Sequence, residues 1–216
     1  IGQDVSSKYT RRNTRTYKQF AQYILTTVKE KRGNYLVFFP SYKFMEDVYE
    51  MLEPDLVEAK ITCRIQQQNM NEQTREEFLQ EFERERDGSL IGLCVMGGIF
   101  SEGIDLTEDR LIGAMIVGTG LPQVCNEREI LKQYFDKMNG KGFDYAYLYP
   151  GMNKVLQAAG RVIRTETDRG IVLLLDDRFM RRQYQEIFPR EWSSFKTCTV
   201  ESAGPSLEQF WNELHP

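Results

Sequence analysis

Histidine is almost missing from this 216-residue chain: there is one, His215, next to the C-terminal residue. That excludes Ser-His-Asp and Cys-His catalysis, which need an imidazole held beside the nucleophile. The four cysteines, Cys63, Cys94, Cys125 and Cys198, are far apart and form no C-x-x-C pair. Tetrahedral zinc and iron–sulfur sites draw on close-spaced ligand pairs, so no metal site is expected. The cysteines read instead as small core hydrophobes in a reducing, cytoplasmic setting. No apolar run approaches the roughly 20 residues of a membrane span, so no membrane partner is expected. The polar, basic start over residues 1–16 is not a signal peptide. A G-x-x-x-x-G-K-[ST] loop is also lacking, since Gly140-Lys141 is followed by Gly142. This weighs against a free-standing nucleotide-binding enzyme. The chain begins at Ile1 rather than Met, as expected of a piece cut from a longer protein.

What is present suits a globular domain, with 41% hydrophobic and 28% charged residues. One domain over residues 1–216 is expected, with residues 192–216 as a strand-and-helix extension. The net charge of −4 hides local fields. Residues 1–32 hold eight Lys and Arg against two acids, whereas residues 46–87 hold thirteen acids against five bases. Local charge, not the total, is what a charged ligand meets. Solvated helix faces account for most of the acidic stretch.

Periodicity assigns the elements. Tyr17, Phe20, Ala21, Ile24, Leu25 and Val28 recur at three and four, predicting a helix that ends at Gly33. Tyr35–Phe39 is a continuous apolar run and reads as a strand buried on both faces. A helix through Phe44–Leu52 should stop at Pro54, and a short strand is expected near Ile61–Ile65. Asn71 or a neighbour should cap a helix through Phe82. Leu90–Met96, Leu111–Val117 and Ile171–Leu175 read as further strands. Pro122–Met138 reads as a helix with Ile130, Leu131, Tyr134 and Phe135 as its apolar stripe, and Met152–Ile163 as another. The tail adds an edge strand over Phe195–Val200 and a helix over Leu207–Leu214. Buried strands alternating with helices predict an α/β fold with a doubly wound, mostly parallel sheet. Ligands of such sheets bind beyond the carboxyl ends of the strands.

Three segments fall there. In Phe38-Phe39-Pro40-Ser41-Tyr42, Ser41 and the helix start it caps can hold a phosphate, although an ordinary N-cap needs no ligand. In Gly97-Gly98-Ile99-Phe100-Ser101-Glu102-Gly103-Ile104-Asp105, glycines allow close backbone approach beside two carboxylates. In Gln157-Ala158-Ala159-Gly160-Arg161-Val162-Ile163-Arg164, helical geometry places Gln157, Arg161 and Arg164 within about 60° of one another. Two guanidinium groups and an amide so placed suit a polyphosphate. A solvated basic helix face is the plain alternative.

In this order, the segments resemble motifs IV, V and VI of the superfamily-two helicases, particularly the DinG/XPD group of DNA helicases. Gly33–Tyr42 resembles motif IV, Ser101–Asp105 motif V, and Gln157–Arg164 motif VI. Asp168-Arg169-Gly170 and Asp177-Arg178 follow in the family's places. Where XPD-like proteins usually carry a basic residue early in motif V, this chain has Gly97-Gly98, closer to the bacterial DinG-like branch. The helix over Pro122–Met138 points the same way.

The resemblance implies a RecA-like C-terminal motor domain of an ATP-dependent DNA helicase. ATP and Mg would be bound mainly by a first motor domain, which would also carry any iron–sulfur cluster. Partners would be that domain of the same polypeptide and single-stranded DNA. Arg161 and Arg164 would act as arginine fingers, oriented by Gln157. Glu102, Gly103 and Asp105 would couple nucleotide state to the interface. Ser41, Tyr42, Gly98 and Ser101 would line the DNA track, with the family's usual 5′ to 3′ polarity. A non-catalytic docking module derived from such a domain is the rival reading.

Overall fold

The computed structural model describes residues 1–100, 111–162 and 169–214. Of the expected site residues, Ser101, Glu102, Gly103, Asp105 and Arg164 lie outside the described residues, as does Asp168.

The five apolar runs form one all-parallel sheet. Its strands are β1 (Asn34–Phe39), β2 (Thr62–Ile65), β3 (Leu90–Val95), β4 (Gly113–Val117) and β5 (Ile171–Leu175), in the order β2-β3-β1-β4-β5. The expected doubly wound sheet is therefore what forms. Alternate residues of β1 feed two cores. Tyr35, Val37 and Phe39 meet Phe20, Ile24 and Val28 of α1 (Thr14–Glu30) and Met45, Val48 and Leu52 of α2 (Tyr42–Glu58). Leu36 and Phe38 join Phe78 and Phe82 of α3 (Glu72–Glu83) and Met152, Val155 and Ala158 of α5 (Tyr149–Ala159) on the other face. Burying each such side chain contributes roughly 1.5–3 kcal/mol. Helices on both faces are what a two-sided buried strand requires.

Several boundaries differ from expectation. Pro54 does not stop α2, which runs on to Glu58 and buries Leu56. The packing of this last turn outweighs the backbone bond that the proline ring removes. A π-helical turn, Asp144–Leu148, leads directly into α5, which thus begins three residues before Met152. Pro150 has no N–H for the Ala146 carbonyl four residues back; Arg128 donates to that oxygen at 2.7 Å. Arg128 belongs to α4 (Asn126–Asn139), so the proline also gives that helix a docking point.

Helix α4 starts later than Pro122, and its expected apolar stripe is not a core face. Ile130 is 68% exposed and Tyr134 59%, and the helix buries no residue among the sheet cores. Its ring contacts are with its own lobe, Phe135 stacking on Tyr145 at 4.1 Å. The tail differs too. Phe195–Val200 forms no strand; Cys198 alone bridges to Gly2, which also bridges to Leu175 at the end of β5. The last helix, Val200–Leu214, begins at Val200 rather than Leu207. The N-terminal residues, polar in sequence, have thus taken the edge position.

Gly120 sets the seat of α5. It has φ of +66°, and a Cβ there would lie 2.6 Å from the Gly151 carbonyl oxygen. The loop after β4 and the first turn of α5 therefore touch backbone to backbone. Gly120→Ala is expected to cost about 1–3 kcal/mol, from the left-handed conformation and the clash together. Urea unfolding checks this, and a loss below about 0.5 kcal/mol would show that the loop can give way.

Candidate functional site

The carboxyl ends of the strands collect the functional candidates. Ser41 follows β1 and caps α2, its hydroxyl accepting from Phe44 N at 3.3 Å. The extended Ser41 backbone after Pro40 makes this the natural end of strand and start of helix. Tyr42 stands next to it and is tied to the neighbouring strands. Gln66, directly after β2 and 3% exposed, donates from Nε2 to the Tyr42 hydroxyl at 2.9 Å. The Gln66 Oε1 accepts from Val95 N at 2.9 Å. A Cβ on Gly98 would lie 3.0 Å from Gln66 Nε2. One buried amide thus holds the ends of β1, β2 and β3 in register. Burial pushes the Tyr42 phenol up, so the hydroxyl stays protonated and donates to the Gln67 carbonyl.

The turn after β3 reaches α5 next. Gly97 has φ of +71°, and the Lys154 stem lies over it, 3.2 Å from where a Cβ would sit. Phe100 anchors the turn from below, fully buried and stacked on Phe78 at 4.2 Å. Lys154 and Gln157 are three residues apart and share a helix face. Gln157 is exposed, while Val155, Ala158 and Ala159 pack into the core.

Arg161 is not on that helix. Helix α5 closes at Ala159, and Gly160 caps it. Arg161 N and Val162 N then reach back three residues, to Ala158 O at 3.3 Å and Ala159 O at 3.2 Å. The expected helix to Ile163 gives way to a tight turn, so the 100° spacing does not govern Arg161. Val162 is buried, and a Cβ on Gly170 would meet it at 2.4 Å. This turn lies half-buried against β5 and leaves Arg161 partly exposed.

Beyond β5 is an arrangement that sequence reasoning missed. Asp176 is fully buried and accepts from Ser7 N at 2.8 Å, Ser7 Oγ at 2.7 Å and Arg178 Nε at 2.7 Å. Arg178 Nη2 also donates to Ser7 Oγ at 2.8 Å. Burial alone would raise the Asp176 pKa, but the Arg178 and Ser7 donors outweigh it and hold the carboxyl below the usual range. The hint was an acid placed directly after an apolar strand. Its partner, 169 residues away, left no signal. Gln66 and Lys154 were missed for the same reason: each is an ordinary polar residue until the strands are set side by side.

Among the described residues no group of three His, Cys, Asp or Glu side chains could hold a metal ion. The described part of this site therefore does not fit Mg on its own; it offers cations and amides, the complement of a phosphate. Cys94 and Cys198 are buried, Cys63 is half-buried with its thiol pushed up to about 12 by burial, and Cys125 is exposed. No helix of the described residues is long and apolar enough to cross a membrane.

Comparison with known proteins places this geometry among relatives. The family described as helicase C-terminal domain matches residues 24–195. The chain is 34% identical over 184 residues to the ATP-dependent DNA helicase XPD of Sulfolobus acidocaldarius, covering 83% of this chain and 31% of that protein. It is 28% identical over 199 residues to the 3'-5' exonuclease DinG of Staphylococcus saprophyticus, covering 91% and 21%. A solved XPD helicase superposes with a TM-score of 0.74 at 26% identity, over 92% of this chain and 34% of that one. The second domain of the DEAD-box helicase Mss116p shares the fold, with a TM-score of 0.53 at 14% identity, over 94% of this chain and 67% of that one. The chain spans about a third or less of the two curated relatives.

Proposed function

Since the chain belongs to the helicase C-terminal domain family, as found in XPD/DinG-type ATP-dependent helicases, we propose that it is the second motor domain of a DNA helicase. In this reading it completes an ATP site whose phosphate loop and metal ligands lie in a first motor domain. Arg161, with Arg164, contributes the guanidinium groups that meet charge developing on the transferring phosphoryl group. In this reading Gln157, exposed near the end of α5, orients them. Glu102, Gly103 and Asp105 carry the state of the nucleotide to the interface, and Ser41, Tyr42, Gly98 and Ser101 follow the backbone of a single DNA strand.

One observation supports this most. Gln66 ties Tyr42 to Val95 at the end of β3, and the turn that follows has Lys154 of α5 packed over Gly97. Strand ends proposed to touch DNA are thereby mechanically continuous with the helix proposed to touch nucleotide. A shift of α5 upon ATP binding or release would be felt at Tyr42 through these contacts. That is the coupling a motor needs, and a passive docking module has no use for it.

The chain alone is expected to hydrolyse no ATP above a blank, with or without DNA, because it lacks a phosphate loop. It should bind single-stranded DNA weakly, and more weakly as salt rises, since backbone contacts release counterions. A coupled ATPase assay and fluorescence anisotropy with a dT oligonucleotide check both parts. DNA-stimulated turnover by the chain alone, or salt-independent binding, would overturn the reading.

A further inference from the structure

The concentration of positive charge near the N-terminus has so far no role, and the structure shows where it goes. Residues Lys8–Arg12 form a ridge beside the start of α2, with Tyr9–Arg11 wound into a single 3-10 turn. Its backbone is pinned from several sides. Ser7 is held by Asp176, and Arg12 Nε donates to Ser7 O at 3.1 Å. Asn13 Nδ2 and Thr16 Oγ1 both donate to Arg11 O, at 3.2 and 2.8 Å. The Arg12 guanidinium lies 5.0 Å from the ring centre of Phe44, in the first turn of α2, and 5.6 Å from that of Tyr9.

On this fixed backbone the Tyr9 ring stands 84% exposed. Beyond the Arg12 contact, so large a ring left in water gains the fold nothing, while the rigid mount lowers the entropy cost of using it for stacking. The charges around it are poorly matched internally. Lys8 and Arg11 share one carboxylate, Asp177, at 3.7 and 3.5 Å. The first turns of α1 and α2 contain no acid, although helix N-termini favour one. Arg15 and Lys43 occupy those turns instead. Lys43 is paired with Asp47 at 2.5 Å, so the cation at a helix N-terminus that an external anion would favour is Arg15 of α1.

We propose that Tyr9, with Lys8, Arg11, Arg12 and Arg15, is a binding ridge for single-stranded DNA, one base stacking on Tyr9 while the cations hold the flanking phosphates. The proposal rests on the DNA-track reading above and extends it past Ser41 and Tyr42, to residues outside the three motifs. An unpaired base is required, because only a single strand offers its face to an exposed ring.

The test is anisotropy with a dT oligonucleotide across a salt series, on the wild-type chain, Tyr9→Ala, Arg11→Gln and Lys60→Gln. Lys60 precedes β2, at the opposite end of the sheet, and serves as the control. Tyr9→Ala should weaken binding about tenfold at every salt concentration, since stacking carries no counterion release. Arg11→Gln should reduce the slope of log affinity against log salt by about 0.7, the value for one phosphate contact on a single strand. Lys60→Gln should leave both unchanged. Wild-type binding with unaltered Tyr9→Ala and Arg11→Gln would overturn the ridge and leave the DNA track standing. A wild-type chain that binds no oligonucleotide at low salt would overturn the track and the ridge together. Equal binding of a duplex that Tyr9→Ala does not weaken would overturn the stacking step.

Discussion

Arg161→Ala, placed in a full-length helicase carrying this chain as its second motor domain, is expected to lower ATP turnover by roughly 10³–10⁵ while leaving DNA binding nearly intact. The reason is differential: a finger arginine meets charge that exists only as the phosphoryl group transfers, so the ground state loses little when it is removed. Arg161→Lys should not restore the rate, because a point ammonium cannot reproduce the planar guanidinium fork. Its site in the structure fits the role. A tight turn just past α5, seated by buried Val162, leaves Arg161 partly exposed at the end of the helix that bears Gln157. Were Arg161 merely a surface arginine, its loss would change stability by no more than about 0.5 kcal/mol and leave kinetics alone. The measurement is DNA-stimulated kcat together with melting temperature. Normal turnover in a folded Arg161→Ala protein would remove the residue from the mechanism.

The largest effect on stability should come from Asp176→Asn. The carboxylate has no exposed surface, and four donors from Ser7 and Arg178 converge on it within 2.8 Å. Removing one partner of a buried ion pair strands the other, at a cost of about 3–5 kcal/mol. For a chain of this size that lowers the melting temperature by roughly 6–20 °C. The pH dependence has a definite sign. The folded pKa is depressed, so the carboxylate's contribution is fully present above the unfolded value of about 3.9. It is lost as pH falls from there through the folded value. The deficit of Asp176→Asn should therefore be constant near neutrality and shrink below about pH 4. Urea titrations of both proteins at pH 7 and pH 3 measure it. A deficit that grows on acidification would show that the ion pair is not what holds the site.

The same network gives Asp176 a functional consequence. Ser7 anchors the ridge of Lys8–Arg12, so Asp176→Asn should loosen that ridge as well as the fold. Asp177 adds to this on the solvent side, accepting from Ser6 Oγ at 2.9 Å while pairing with Lys8 and Arg11. The end of β5 and the N-terminal segment thus act as one unit, although almost the whole chain separates them.

What the sequence determined by itself was local and periodic. Tyr35–Phe39 and Ile171–Leu175 are strands because continuous apolar runs between turn residues need burial on both faces, and α1 declares itself by apolar residues at three and four. The order of the three motif segments carried the family, whereas the strand order β2-β3-β1-β4-β5 came only with the structure. Only the tertiary structure decided what covers each apolar face. Helix α4 has the stripe of a core helix yet buries none of it, because amphipathicity records a helix's composition and not its neighbours. Pro54 reads as a stop, but the burial of Leu56 continues the helix through it. Gly160 reads as an interior helical residue, yet there the chain turns and carries Arg161 off the helix axis. Gln66, Lys154 and the pairing of Ser7 with Asp176 are polar contacts across long sequence separations. Hydrogen bonds of that kind have no period and no local signature, so they come into being only when folding sets the strand ends side by side.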